Sequence, residues 1–364
     1  MAARADVLIV GAGAAGLGAA AHLADAAKVI VLEAERAPCH HSTGRSAAVF
    51  IKSYGPPGVR AATAASESFF EAPPDGFAAA PLLSPRGLLH LDFGGGGLDA
   101  TVRKTPGLRA ISVDEALALA PYLRREGLVA AAYEADARDI DVDLLTGGFQ
   151  RMMRAGDARL ALNARVSGVS RSGGVWRVTA GEETYEAPIL VNAAGAWATG
   201  IAEMAGASPI RIQPKRRSGA IIPAPAEYDV SGWPVVMDAR ETWYAKPMGG
   251  KLMVSPADAD PVEPFDAWPD DMVLAEGLDR FSRAANFEVT RVERSWAGLR
   301  SFSPDGEPVI GFDAARSGFF WLAGQGGYGI QTAPALSALA ADLILGRAPA
   351  LAATAPVFAP ARFG

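Results

Sequence analysis

Gly11-Ala12-Gly13-Ala14-Ala15-Gly16 is the first spacing in the chain with a chemical use. Glycines at its first, third and sixth positions permit a tight turn, a close backbone approach to a pyrophosphate, and close packing of the following helix on its strand. The apolar run Asp6-Val7-Leu8-Ile9-Val10 precedes it and reads as a strand. Leu17 to Ala27 reads as a helix of small residues, whose N-terminus would offer amide groups and a positive dipole end to phosphate. Val29-Ile30-Val31-Leu32 reads as a second strand, ending at Glu33, 22 residues after Gly11. A carboxylate there can accept hydrogen bonds from a ribose hydroxyl pair. Gly-Ala-rich stretches produce this spacing by chance, and a ligand-free glycine turn is the plain alternative. The strand before it, the helix after it and the acid at the end of the next strand favour a bound dinucleotide.

Further glycine-rich or polar corners follow at Ser42 to Ser46, Asn192 to Trp197 and Gly324 to Thr332. Several corners converging on one ligand suit a long dinucleotide. FAD is longer than NAD, and its ring must be fixed against a substrate. Ser42, Thr43, Gly44, Arg45 and Ser46 would give hydroxyl and backbone donors to the diphosphate and the flavin edge, a simple polar turn being the alternative. Gly326, Gly327, Tyr328, Gly329, Ile330, Gln331 and Thr332 would meet the cofactor at the last of these corners. A helix starting near Gln331 would point its positive end there and stabilise developing negative charge.

The composition sets limits on other functions. Half of the 364 residues are hydrophobic and 20% are charged, which excludes disorder as the main state. Mean hydropathy is +0.14. The 34 basic and 40 acidic residues give a net charge of −6, which argues against a nucleic-acid partner. Of the 34 basic residues, 28 are arginine. Cys39 is the only cysteine, so an intrachain disulfide is excluded and a reducing compartment fits. The histidines, His22, His40, His41 and His90, make no HExxH pair, and no metal site is expected. Val7 to Leu32 is nearly all apolar, but His22, Asp25, Lys28 and four glycines interrupt it, so neither a signal peptide nor a spanning helix is expected. The reading is a cytoplasmic protein without an integral membrane segment, peripheral membrane association being left open.

Those residues must be positioned by the elements around them. Continuous apolar strands such as Val29 to Leu32 suit a parallel sheet covered on both faces. Helices are expected over Val59 to Phe70, Asp141 to Ala155, Asp270 to Arg283 and Gln331 to Leu345, and strands over Val166 to Ser170, Val175 to Thr179, Ile189 to Asn192 and Phe319 to Leu322. Gly94 to Gly97 reads as a surface turn. Between Ile210 and Ser255 short alternating runs separated by prolines read as antiparallel sheet. The fold class is therefore α/β, with an antiparallel-sheet domain inserted into a dinucleotide-binding one.

Beyond the first motif, the sequence resembles the DAO family of FAD-dependent amino-acid oxidases and dehydrogenases, and within it the bacterial D-arginine and D-amino-acid dehydrogenases. The resemblance is carried by Asp6 to Glu33, by His41-Ser42-Thr43-Gly44-Arg45-Ser46-Ala47-Ala48 and by Val191-Asn192-Ala193-Ala194-Gly195-Ala196-Trp197. It continues through Gln213-Pro214-Lys215-Arg216-Arg217-Ser218, Trp296-Ala297-Gly298-Leu299-Arg300-Ser301-Phe302 and Gln325-Gly326-Gly327-Tyr328-Gly329-Ile330-Gln331-Thr332, covering nearly the whole chain in order. It implies a Rossmann-like FAD-binding domain of residues 1–48, 141–206 and 296–350. A substrate domain of residues 49–140 and 207–295 is implied beside it, and residues 351–364 form a C-terminal tail. FAD would be held non-covalently, since no linking cysteine lies between Trp296 and Phe302. Ala34, Ala47, Ala48, Val166, Ala193, Ala194, Gly195 and Trp197 join the implied cofactor set. The implied reaction oxidises an amino acid to an imino acid, by hydride transfer from Cα to flavin N5, and water then gives a 2-oxo acid and ammonia. No general base is needed if a neutral amine reacts, and none stands out.

The resemblance places Arg217 and Arg300 on the substrate carboxylate, whose planar geometry a guanidinium fork matches. If Lys215 to Ser218 is a strand, only one of Arg216 and Arg217 faces the site. Tyr244 matches a substrate-contacting position, and Tyr54 is a pocket wall or a plain core aromatic. The chain departs from an arginine-selective pattern in the segments expected to face the side chain. Val49-Phe50-Ile51, Gly87-Leu88-Leu89, Val235 and Met237 include no acid, and Lys52 should point away from Ile51. A buried guanidinium without a partner costs several kcal/mol. The expectation is broad oxidation of D-amino acids with apolar or aromatic side chains. A secondary amine or cyclic imino acid is the alternative, and a flavin-binding scaffold without turnover is the reading from another class. The electron acceptor is not specified by any motif.

Overall fold

The computed structural model describes residues 2–95, 97–225 and 227–364. Its centre is a six-stranded sheet in the order Ala158–Ala161, Val29–Leu32, Val7–Val10, Ile189–Asn192, Phe319–Ala323, Val309–Phe312. The first five strands are parallel and the last pairs antiparallel. Alternation of side chains puts Val7, Ile9, Val29, Val31, Phe320 and Leu322 on one face. The helices Ala14–Leu23, Val142–Ala155 and Gly329–Ile344 cover that face. Leu8, Val10, Ile30, Leu32, Phe319 and Trp321 point the other way, against the helix Ala198–Ala205 and the four-stranded sheet containing Trp176 and Val178. Both faces are buried, which is why these strands carry no polar alternation.

A nine-stranded sheet stands beside it, in the order Gln325–Gly326, Arg294–Phe302, Gln213–Ile222, Lys251–Ser255, Tyr244–Met248, Val235–Asp238, Leu88–Asp92, Ala130–Glu134, Arg109–Ile111. It is antiparallel except where Val235–Asp238 runs parallel to Leu88–Asp92. A small three-stranded sheet joins Val49–Phe50, Arg138–Ile140 and Leu83–Pro85.

The structure differs from the sequence expectations in several places. The first helix begins at Ala14 and ends at Leu23, because Gly13 is already its N-cap. Pro56 and Pro57 start a helix, Pro57–Glu71, since proline is tolerated where no amide donor is needed. A third strand, Glu183–Ala187, completes the hairpin of Val166–Ser172 and Val175–Ala180. Of the glycine turn, Gly94, Gly95 and Gly97 have positive φ and lead into a short helix, Leu98–Lys104, absent from the sequence reading. Gly96 lies outside the described residues. The division at residue 296 falls inside Arg294–Phe302, whose nine-residue register with Gln213–Ile222 puts residues 296–302 in the nine-stranded sheet. The final segment packs closely: Phe358 is fully buried in the core, and Arg362 is bonded to Asp305. Among the described residues no helix is long and apolar enough to cross a membrane.

Candidate active site

At the C-terminal end of Val7–Val10 the chain turns through Gly11, with φ of +103°. A Cβ on Gly11 would lie 2.4 Å from the Ala193 carbonyl oxygen, and one on Gly16 would lie 1.9 Å from the Gly11 carbonyl oxygen. Gly16 therefore packs helix against turn rather than lining a cavity. The helix Ala14–Leu23 starts at Gly13 without a side-chain cap, and the Ala14 N–H donates to Thr43 Oγ1 at 3.1 Å. Glu33 is buried; its Oε2 accepts from the Ala12 N–H at 2.8 Å and its Oε1 from the Glu35 N–H at 3.0 Å. These residues wall a cavity of about 250 Å³, closed by Ala34, Val166, Ala194 and Trp197. Cys39 also touches it, but burial pushes its thiol up to about 12, so it stays protonated and inert. At its rim Glu35, His40 and His41 bring ligand atoms within 4.8 Å. Glu35 Oε1 is already shared by His41 Nε2 and by Arg165, each at 3.2 Å.

The cavity continues into a central one of about 180 Å³. Ala14, Ala15, Ser42, Thr43, Arg45, Ser46 and Ala47 form one wall, with Ala193 and Gly195, and Gly326, Gly327, Gly329 and Ile330 form the other. Arg45 is clasped by the chain: it donates to the carbonyls of Ala267 (2.8 Å) and Ala297 (3.1 Å) and pairs with Asp266. Its own carbonyl accepts from Trp296 Nε1 at 2.9 Å, so its guanidinium is a strut for this wall. The helix Gly329–Ile344 begins two residues earlier than expected, again without a side-chain cap. Six expected cofactor residues, Gly16, Gly44, Ala48, Tyr328, Gln331 and Thr332, line neither of these two cavities. Gly44 packs on the Cys39 carbonyl, Thr332 Oγ1 donates to the Tyr328 carbonyl, and the Gln331 side chain is used on Ile51 and Thr63.

A third cavity of about 450 Å³ shares Arg217, Arg300, Tyr244 and Gly327 with the central one. Arg217 and Arg300 come from adjacent antiparallel strands. Strand alternation turns Arg216 away, towards Asp258, Asp260 and Asp270. Tyr54 Oη lies 3.5 Å from Arg300 Nη1, and the Tyr54 and Tyr328 rings meet edge to face at 5.0 Å. A Cβ on Gly327 would come within 3.0 Å of the Arg300 guanidinium carbon, so glycine makes room for it. Burial works to raise the Tyr244 phenol, but the positive charges of Arg300 and Arg217 outweigh it and the net shift is downward. The Tyr328 phenol is pushed up to about 12, first by burial.

Val49, Ile51, Leu88, Val235 and Met237 form an apolar belt around this chamber, with Ala48 at its edge. Lys52 points away, to Glu67 at 2.9 Å. The expectation that no acid lines the chamber is corrected: Glu241 does, from the turn between Val235–Asp238 and Tyr244–Met248. His90, Thr101 and Thr105 line it too. His90 follows Leu88 by two residues on one strand, so period-two alternation would have found it. Glu241 has φ of +54°, a turn geometry no local motif announces.

The family model for FAD-dependent oxidoreductases of the DAO type matches residues 6–343. The chain belongs to the DAO family. FAD is therefore its cofactor, and the cavities fit it: glycines at the first turn, two helix N-termini without side-chain caps and the Glu33 carboxylate line one continuous space. This DAO-family chain is 31% identical to D-amino acid dehydrogenase 2 of Ralstonia nicotianae over 67% of its length and 59% of that protein's. It is 28% identical to a glycine oxidase of Geobacillus kaustophilus, over 63% and 60%. The chain spans between 36% and 60% of the length of the first curated relatives it matches. The crystal structure of glycine oxidase from Geobacillus kaustophilus superposes with a TM-score of 0.84 at 22% identity, covering 97% of this chain and 98% of that one.

Proposed function

We propose that this DAO-family enzyme oxidises free D-amino acids at Cα, accepting apolar and aromatic side chains broadly and releasing 2-oxo acids and ammonia. The observation that carries this reading is the pair Arg217 and Arg300 at the junction of the central cavity and the apolar chamber. Two guanidiniums there bind a carboxylate, and Tyr54 and Tyr244 add hydroxyls beside it. A carboxylate held at that junction places Cα at the mouth of the central cavity and sends the side chain into the apolar belt. FAD, when bound, supplies the two-electron acceptor. The protein orients the amino acid, excludes water from Cα, and leaves its amine neutral to react; water then hydrolyses the imino acid. His90 does not serve as a cationic acid at neutral pH, because burial lowers its imidazole to about 4. The name of the Ralstonia relative supports the D-amino-acid choice.

Glu241 favours a second reading of the side chain. A long stem ending in a cation would cross the apolar belt and meet this carboxylate, for which no ion-pair partner is found among the described residues. Anaerobic mixing of the FAD-loaded protein with D-Leu, D-Met, D-Phe, D-Arg, D-Lys, their L forms, N-methyl amino acids and proline tests both readings. The first expects flavin bleaching fastest with the apolar D-amino acids. D-Arg or D-Lys as clearly the best substrate replaces it with the second. N-methyl or cyclic substrates as the best establish a secondary-amine enzyme. Bleaching by none of them leaves a flavin-binding scaffold.

A further inference from the structure

We propose that Glu134, which lies behind the chamber wall, is a positioning residue that holds Tyr54 over Arg300 through Ser53. The proposal rests on the reading that Arg300 binds the substrate carboxylate. Tyr54 lies on the short segment between the strand Val49–Phe50 and the helix Pro57–Glu71. Both ends of that segment are pinned. At one end the Ile51 N–H donates to Gln331 Oε1 at 3.1 Å, and Gln331 is 3% exposed. At the other, the N–H groups of Gly58 and Val59 donate to the Glu307 carboxylate at 2.7 and 3.0 Å.

Between the pins the Tyr54 N–H donates to the Ile51 carbonyl at 3.3 Å, Gly55 adopts φ of +97° and Lys52 turns outward to Glu67. The inward tether is Ser53, whose hydroxyl donates to Glu134 Oε2 at 2.5 Å. Glu134 is 3% exposed and stands on the strand Ala130–Glu134, paired with Leu88, whose side chain lines the chamber. A carboxylate this deep is costly unless it is hydrogen-bonded. Burial holds its carboxyl above the usual range, with the Ser53 hydrogen bonds acting in the opposite sense. Whether ionised or protonated, it keeps an oxygen to accept from Ser53, so the tether persists across neutral pH. Tyr54 is the next residue, and its hydroxyl meets Arg300. Releasing Ser53 frees Tyr54 and opens the carboxylate end of the chamber.

The test uses the FAD-loaded enzyme and two readouts: anaerobic flavin reduction by the best amino acid, and titration with benzoate followed by the flavin absorbance shift. Ser53→Ala and Glu134→Ala should each raise KM and the benzoate Kd by about five- to tenfold, the scale of one lost hydrogen bond, while the rate at saturation changes by less than about twofold. Glu134→Gln keeps an acceptor and should restore near wild-type binding. In a Tyr54→Ala background Ser53→Ala should have no further effect. Wild-type binding in Ser53→Ala, an effect that persists without Tyr54, or a Glu134→Gln as impaired as Glu134→Ala overturns the proposal. If Glu134→Ala does not fold, Ser53→Ala still decides it. A wild-type enzyme that reacts with amino acids beside an unaffected Ser53→Ala defeats this proposal alone. A wild type that takes neither amino acids nor benzoate defeats the functional reading with it.

Discussion

Replacing Arg300 by alanine separates a substrate-binding arginine from a structural one. Arg300 is half-buried in the strand Arg294–Phe302, faces both the central cavity and the chamber, and makes no ion pair among the described residues. Its contact within hydrogen-bonding reach is Tyr54 Oη at 3.5 Å. The protein thus loses little when the guanidinium goes, and the carboxylate loses a charge-assisted bond of about 1.5–3 kcal/mol. At about 1.4 kcal/mol per factor of ten, KM should rise roughly 10- to 150-fold. Arg300→Lys keeps the charge and loses the fork, so it should fall between wild type and alanine. The melting temperature should stay near wild type, because no buried carboxylate is orphaned. The Tyr244 phenol should titrate at higher pH in Arg300→Ala, since the charge that opposes its burial is halved. The assay is anaerobic flavin reduction over a range of amino-acid concentration, with phenolate absorbance followed in parallel. An unchanged KM refutes the assignment, and an unchanged KM with a lowered melting temperature makes Arg300 a structural residue.

Arg217→Ala should raise KM by about tenfold or more through the same lost bond. Arg216→Ala should instead lower stability in urea unfolding, by up to about 3 kcal/mol, because the buried Asp258 carboxylate loses its ion-pair partner while keeping its Ser218 hydrogen bonds, with KM little changed. Equal KM effects would refute the strand alternation. His90 titrates from 6.5 when unfolded to about 4 when folded, because burial favours its neutral form. Its contribution is therefore whole above the unfolded value and is lost as pH falls through that window. By pH 5 about 2 kcal/mol should be gone, and His90→Asn should remove that slope; a slope unaltered in the variant would place the titration elsewhere. Gly16→Ala sets a Cβ 1.9 Å from the Gly11 carbonyl oxygen, so the turn must shift. The purified variant should lose flavin on gel filtration, and full retention would show that the turn tolerates a side chain.

The nucleotide end was legible because its constraints are local. Gly11 is dictated by its positive φ and Gly16 by packing on the Gly11 carbonyl five residues away, although the Ala193 carbonyl that also crowds Gly11 comes from a distant strand end, and Val29–Leu32 and Ile189–Asn192 announce themselves as unbroken apolar runs. The choice of Arg217 over Arg216 needed one further fact, that a strand alternates its faces, and the sequence could pose that choice but not decide it. Harder to read were residues whose role depends on what lies across a gap. Gln331 and Thr332 occupy a stretch that aligns with a cofactor pattern, yet their side chains turn to Ile51, Thr63 and the Tyr328 carbonyl.

Sequence alone thus determined the FAD-binding family and the glycine turns, since those follow from the conformational limits of consecutive residues. It also supplied the arginines that the family resemblance singles out. Only the tertiary structure decided that Glu241 enters the chamber and that Glu134 stands behind Ser53. Those contacts join strands and turns far apart in the chain, and the packing of the nine-stranded sheet against its neighbours determines which side chains meet.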